Sequence, residues 1–551
     1  MLEFPLRGVN LGGFLILEPY LKPSLFSDVC TSTNGTACPI DEHGLCEALG
    51  PAEARRAMHD HWESWVTYDE LVTLRHAGIN ALRIPVGYWI VAPRPGEPFV
   101  EGGIAYLLRV CGWAKQLGIR VLVELHAAPG RQNNMDHSGW KDHMGWQVSA
   151  CAGQHSRLQS EYAARTVSVL HQLLSVLQEH GFVEACASQE DGAGGPCGTV
   201  FGLGLVNEPV SFDKARPVDH AGLLELYHAA LAMLPSEIFA VIDMFEGFEW
   251  LVDGGVLEQP PGRERRLAFD KHRYVGFSEK GMRGALDEPW LERFACAAMS
   301  DGFDLRNASV VAARRGETMA PLMFGEWSVA INDCMHWLGG AYNLHTNYEC
   351  CGVGRCDTTP AARSPHTWTA EEVELRLRYA SRQMDAMEQR GSMGWFYWNF
   401  KTEPASEWSY LDGLRYGFVP ADAAARADND SGARCAAGAS LPQFCTATDP
   451  GCDLCLARNG HNQTCKPFPP APPPLPSTSC TAATEAAADS GALASETLLV
   501  PSPHPSHSVP VALIVAALVV GFFVGGLARR RRRRVSERTS ADATPYVALS
   551  D

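Results

Sequence analysis

Eight short apolar, β-branched runs recur along the first 400 residues of this chain, and their number and spacing limit what it can fold into more than any other feature. They are "RGVNLGG" (7–13), "ALRIPVG" (81–87), "IRVLVELH" (119–126), "TVFGLGLVNE" (199–208), "IFAVIDMF" (238–245), "LAFDKHRY" (267–274), "PLMFGEW" (321–327) and "MGWFYWNF" (393–400). Longer segments of helical period separate them, and this alternation is the sequence form of a parallel α/β fold. Eight repeats favour a closed (β/α)8 TIM barrel over an open doubly wound sheet, which more often has about five to seven strands. Gly202 and Gly204 form a G-x-G, but Val206-Asn207-Glu208-Pro209 follows, not a third glycine opening a helix, so a dinucleotide site is not predicted.

Two helix starts are written out as capping boxes, Thr67 with Glu70 and Thr369 with Glu372. In the second helix Val373, Leu377, Ala380, Met384 and Met387 step by four and three, which predicts one buried stripe ending before Gly391. Those methionines read as core.

Past about residue 425 the pattern dissolves. A Cys-rich segment (426–466) and a Pro/Ser/Ala-rich stalk (467–508) precede an uncharged apolar stretch (509–528) long enough to cross a bilayer as a helix. Six arginines, Arg529 to Arg534, open a short tail (529–551). The positive-inside rule keeps that block cytoplasmic and places the catalytic domain (1–425) outside the cell or in a lumen. Eighteen cysteines and sequons at Asn34, Asn307, Asn429 and Asn462 suit an oxidising compartment, so disulfides are favoured over zinc. Because "MLEFPLRGVN" has no apolar leader, the start is expected to lack its signal peptide. A net charge of -17, with no interleaved basic and aromatic stripe, argues against nucleic acid as a partner.

In a barrel of this type functional groups gather at the C-terminal ends of the strands. Here those ends are polar: Glu18 after the first, Arg83 in the second, His126 ending the third, Asn207 and Glu208 the fourth, His272 and Tyr274 the sixth, Glu326 the seventh, with Trp398 near the end of the eighth. Glu208 and Glu326 on opposed strands can flank a glycosidic bond, one donating a proton while the other attacks the anomeric carbon. The two need different surroundings, and Arg83 is the cation expected beside Glu326. Asn207 and His126 suit hydrogen bonds to a sugar hydroxyl, and Trp398 offers a flat face for a pyranose ring.

The motifs "RGVNLGGFLILEPYLKPSLF", "LRIPVGYW", "LHAAPGRQN", "LVNEP", "FGEWSVAINDCMHWL" and "WNFKTEPASEWSY" occur in this order between about residues 5 and 420. Together they resemble the fungal exo-β-1,3-glucanases of glycoside hydrolase family 5. The resemblance implies a retaining mechanism with Glu208 as acid/base and Glu326 as nucleophile. It implies glucose-binding roles for Glu18, Arg83, His126, Asn207, His272, Tyr274 and Trp398, an entrance clamp that includes Phe277, and neither metal nor organic cofactor. The chain departs from the family pattern at Ala127, at Met135 in place of a clamp phenylalanine, and at Phe400 in "WNFKTE". The implied enzyme is a membrane-anchored monomer that releases glucose from non-reducing ends of β-1,3-glucan and transfers some of it to sugar acceptors. Activity on β-1,6-glucan or glucosylated lipid, and a catalytically silent glucan receptor, are the alternatives.

Overall fold

A parallel strand covered on both faces needs apolar residues on both, and the eight runs meet that need. The computed structural model describes residues 4 to 425, apart from 33–37, 142, 149–156, 185–197, 212–215, 236, 246, 258–266, 278–287, 299–319, 332–334, 336, 339–363 and 390–391, together with Cys435. All eight runs overlap strands: β1 (Leu6–Asn10), β2 (Ala81–Gly87), β3 (Arg120–Ala127), β4 (Val200–Gly204), β5 (Phe239–Asp243), β6 (Leu267–Arg273), β7 (Leu322–Trp327) and β8 (Ser392–Tyr397). They close in sequence order into one barrel, with every pairing parallel and β1 beside β8. Gly394 at that seam has φ +123°, and a Cβ there would collide with the Leu6 carbonyl, so only glycine lets β8 lie against β1.

Inside the barrel the lower layers are apolar. Leu6, Ala81, Leu122, Phe201, Phe239, Val241, Ala268, Met323, Met393 and Phe396 form a separate cluster, sealed from the larger core between strands and helices. Complete burial of a side chain such as Leu122 contributes about 2 kcal/mol, so this plug is a large part of what closes the barrel.

Both capping boxes are formed, at Thr67–Glu70 and at Thr369–Glu372. In the helix Ala370–Met387 the predicted stripe is buried at Ala380, Met384 and Met387, but Val373 and Leu377 are only half-buried. Arg376 takes the buried position in that first half, because Glu407 pairs with its guanidinium and the Trp368 ring lies 4.0 Å from it. The fourth run needs a correction at its end: β4 stops at Gly204, so Asn207 and Glu208 stand on the loop beyond it.

Disulfides join Cys30 to Cys38 and Cys296 to Cys435, whereas Cys46 and Cys111 are buried free thiols. The chain divides into a unit up to Pro474 and a second from Leu475, and every described residue belongs to the first. The rest of the Cys-rich segment, the stalk, the apolar stretch 509–528, the tail, Gly391 and the four sequons lie outside the described residues. Among the described residues no helix is long and apolar enough to cross a membrane.

Candidate active site

Above the apolar plug the inward-facing positions become ionisable. Buried Arg83 on β2 is the hub: Nη1 donates to Asn10 Oδ1 and to Glu326 Oε1, both at 2.8 Å, and Nη2 donates to Asn207 Oδ1 at 2.9 Å. Glu124 and Asp270 lie 3.5 and 3.8 Å away. Burial works against the guanidinium charge, but Glu124, Glu326 and Asp270 outweigh it and keep Arg83 firmly protonated. Asn10 fixes the other side by donating to the Gly325 and Tyr397 carbonyls at 2.9 and 3.2 Å. A Cβ at Gly325 would run into the Asp270 carboxylate, so the glycine beside Glu326 makes room for that acid.

Glu208 sits with φ +41°, a left-handed conformation that costs a non-glycine residue about 1 to 2 kcal/mol. Two buried bonds hold it there: its N–H donates to Asp243 Oδ2 at 2.8 Å, and its carbonyl accepts from Asn133 Nδ2 at 3.0 Å. The carboxylate is thereby turned toward His272, whose Nδ1 lies 2.6 Å from Glu208 Oε1 and 3.5 Å from Glu326 Oε2. Tyr274 donates its hydroxyl to Glu326 Oε2 at 2.6 Å. One ligand-capable atom from each of Glu208, His272 and Glu326 falls within 4.8 Å of the other two, so the carboxylate on the loop after β4 and the one on β7 meet across one imidazole. Such a trio is close enough to grip a cation, but Arg83 already supplies positive charge at Glu326, and the geometry is that of a proton-sharing cluster.

Burial pushes Glu326 up to about 7, and the neighbouring Glu208 charge adds to that, while His272 and Arg83 pull the other way. Burial also acts to raise Glu208, but the bond from His272 and the charge behind it win and hold it down to about 2. Against its own burial His272 is raised well above the usual histidine range, because Glu326, Asp243 and Asp270 surround it. In the resting site the shared proton therefore stays on His272, one hydrogen bond from Glu208.

The remaining predicted residues line the same mouth. His126 stacks parallel to Trp398 with ring centres 5.5 Å apart. Both its ring nitrogens have partners, Nδ1 with Glu124 Oε2 at 2.9 Å and Nε2 with His137 Nδ1 at 3.2 Å, so a sugar would have to displace one of them. Glu18 is buried, pushed upward by burial and by the nearby acids Asp136, Glu326 and Glu208, and its Oε1 has no hydrogen-bond partner. An unsatisfied buried acceptor beside the mouth is a place for a hydroxyl donor. The Trp398 indole donates to the Tyr20 hydroxyl. Phe277 is 44 % exposed and packs its inner edge on Tyr274 and Trp408.

Sequence reasoning passed over Asn10, Glu124, Asp136, His137, Asp243 and Asp270. Glu124, Asp243 and Asp270 had a visible signal, an acid within an otherwise apolar strand run. His137 lies on a short turn, Asp136–Ser138, that carries no such pattern.

No protein-family model matches the sequence. The chain is 31% identical over 423 residues to probable glucan 1,3-beta-glucosidase A of Aspergillus niger, covering 75% of this chain and 87% of that protein. It is 30% identical over 434 residues to glucan 1,3-beta-glucosidase of Kluyveromyces lactis, covering 76% and 89%. The chain belongs to the glucan 1,3-β-glucosidases of glycoside hydrolase family 5. It is a glycoside hydrolase. Rutinosidase from Aspergillus niger superposes with a TM-score of 0.52 at 19% identity, over 75% of this chain and 98% of that one, a likeness of fold.

Proposed function

We propose that this hydrolase is a retaining, exo-acting glucan 1,3-β-glucosidase. The observation that carries the reading is that one carboxylate oxygen of Glu208 lies within 4.8 Å of one of Glu326, an approach that suits direct attack by one of the pair, whereas an inverting site keeps its carboxyl groups about 6.5 to 9.5 Å apart to leave room for a water. Glu326, held by Arg83 and Tyr274, attacks the anomeric carbon, while Glu208, ionised at rest and protonated from its neighbours once substrate is bound, gives that proton to the departing glycosidic oxygen. A covalent glucosyl ester on Glu326 forms. Glu208, now a carboxylate, takes a proton from water, whose oxygen displaces Glu326 and releases β-glucose; a sugar hydroxyl in place of that water gives transfer. Asn207, Glu18, His126 and Trp398 hold the non-reducing glucose, and Phe277 lines the approach.

The experiment follows the first sugar released from β-1,3, β-1,6 and β-1,4 gluco-oligosaccharides by NMR. β-Glucose released one unit at a time from the β-1,3 series is expected; α-glucose as first product overturns the mechanism, and preference for another linkage overturns the substrate.

The same reading places the barrel, as a monomer, outside a membrane spanned by residues 509–528, on the strength of that uncharged stretch and the arginines after it. Protease added to intact cells should release the barrel and spare an epitope placed after Val535. An epitope cut from outside reverses the orientation.

A further inference from the structure

Glu208 has two carboxylate oxygens, and the mechanism above uses the surroundings of only one. Oε1 is bound to His272; Oε2 faces His137 Nε2 at 3.5 Å. Behind His137 the contacts continue, with Nδ1 at 3.2 Å from His126 Nε2 and His126 Nδ1 at 2.9 Å from Glu124 Oε2. Four titratable side chains thus stand in single file from the wall of the barrel to the acid/base residue.

The neighbours of the file assign its hydrogens. Asn207 gives its carbonyl oxygen to Arg83, so the group 3.4 Å from His137 Nδ1 is its NH2, which can only donate. Nδ1 of His137 is therefore an acceptor, and the ring hydrogen sits on Nε2. Met135 agrees independently: its sulfur, which has no hydrogen to give, lies 2.8 Å from that same Nε2. With Nδ1 of His137 accepting, His126 must present Nε2–H to it and accept at its own Nδ1, so the hydrogen of the last pair belongs to Glu124. Burial favours this, pushing Glu124 up to about 7 and His137 down to about 4, so that below about pH 7 the acid holds its proton and the imidazole is neutral, while Asp270 stays ionised beside Arg83. The groups facing His137 are Glu208, His126, Asp136 and His272; those facing Glu124 are His126, Arg83, His272, Asp270 and His137.

We propose that Glu124, His126 and His137 form a proton wire ending on Oε2 of Glu208. In one shift the Glu124 proton passes to His126 Nδ1, the His126 Nε2 proton to His137 Nδ1, and the His137 Nε2 proton to Glu208 Oε2. Each imidazole gains one proton and loses one, so the sum is Glu124 acid plus Glu208 carboxylate giving Glu124 carboxylate plus Glu208 acid. The new Glu124 charge lies 3.5 Å from Arg83 Nη2, with Oε1 free of other partners. Drawing on His272 instead would strip the cation from between Asp243, Asp270 and Glu326. The shift runs uphill while Glu208 is the stronger acid and is completed as the departing oxygen takes the proton from Glu208, so His272 keeps its charge throughout. Its last link is longer than a hydrogen bond: the His137 Nε2–H, which lies against the Met135 sulfur, turns to Glu208 Oε2 and closes about half an ångström, the kind of tightening that a bound substrate brings.

The inference rests on Glu208 as acid/base, and the test separates the two. kcat/KM is measured against pH for laminaribiose, whose leaving group needs a proton, and for 2,4-dinitrophenyl β-glucoside, whose leaving group does not. Glu208→Ala is the control for the underlying role: equal losses on the two substrates remove Glu208 as acid, whatever the wire does. His137→Asn and Glu124→Gln keep polar groups but cannot relay. Each is expected to lose roughly tenfold more on laminaribiose than on the activated substrate, a smaller effect than loss of the acid itself, and to change the pH profile of laminaribiose alone. The double variant should be no worse than the weaker single, because a wire cut once is cut. Losses that multiply in the double variant, equal losses on both substrates, or unchanged laminaribiose kinetics each overturn the proposal.

Discussion

The lower and upper halves of the barrel interior are made by the same eight strands and are equally dry, yet one is filled by Leu6, Leu122, Phe201 and Phe239 and the other by Arg83, Glu124, Asp270 and Glu326. Several strands change register from one to the other at a period of two: Ala81 to Arg83, Leu122 to Glu124 to His126, Val241 to Asp243, Ala268 to Asp270 to His272. Below, stability comes from area removed from water and no residue depends on one particular partner. Above, each charge is tolerable only because the next one is in place, so the arrangement is specific and fragile together. The apolar half supplies the rigidity that lets the polar half keep such a network undistorted.

The sharpest break of that comparison is Glu326→Ala, which removes the nucleophile and leaves the plug untouched. Turnover on an aryl β-glucoside should fall on the order of 10⁵-fold and partly return with azide as a product of inverted configuration. Next is Glu208→Ala, expected to cost about 10² to 10⁴ in kcat on laminaribiose and far less on substrates with good leaving groups. Identical behaviour of these two variants would mean the roles are misassigned.

Arg83→Leu and Leu122→Ala compare the halves directly. Urea unfolding should show a loss of about 3 to 5 kcal/mol for the first, which strands buried carboxylates, and about 2 to 5 for the second, which opens a cavity. Only Arg83→Leu should also move the acid limb of kcat/KM to higher pH, because Glu326 loses the cation that favours its ionised form. A shifted limb in Leu122→Ala would show that the halves are not separable.

A smaller effect is expected from pH alone. Glu42 is buried, accepts the Leu17 N–H and is pushed up to about 8 by burial, and Glu124 and Asp243 are raised likewise, to about 7 and about 8. A carboxyl raised in the folded state binds its proton more tightly there, so its contribution is complete below the ordinary carboxylate range and disappears as pH rises through the folded value. Stability should therefore decline between about pH 5 and 8, and Glu42→Gln should flatten that slope by on the order of 1 kcal/mol per pH unit. The smallest change is Met135→Phe: a second ring at the entrance should raise transfer over hydrolysis of laminaribiose by roughly twofold, the scale of one aromatic contact.

The barrel was legible because its strands are buried on both faces and so stand out as uninterrupted apolar runs. Arg83, Glu208 and Glu326 were legible because ionisable residues at the ends of such runs have few structural explanations. The end of β4 was misread for a related reason: Leu205 and Val206 are as buried as the strand before them, and apolar character does not reveal that the backbone has left the sheet to put Glu208 at positive φ. His137 was out of reach, since its importance lies in a loop that folds back over His126 and Asn207, and loop geometry has no periodicity to read.

The Cys296–Cys435 bridge closes a ring 139 residues apart in sequence around the part of the chain that carries β7, β8 and Glu326. A single backbone cut anywhere between residues 297 and 434 therefore cannot shed the nucleophile: the severed pieces remain one covalent molecule until the bridge is reduced. Cys435 is further moored by its N–H, which donates to Asp385 at 3.0 Å on the helix beside it. A pull on whatever follows that residue is delivered to the flank of the barrel at two points, and the helix Tyr410–Tyr416, the last among the described residues, is spared from being peeled away first.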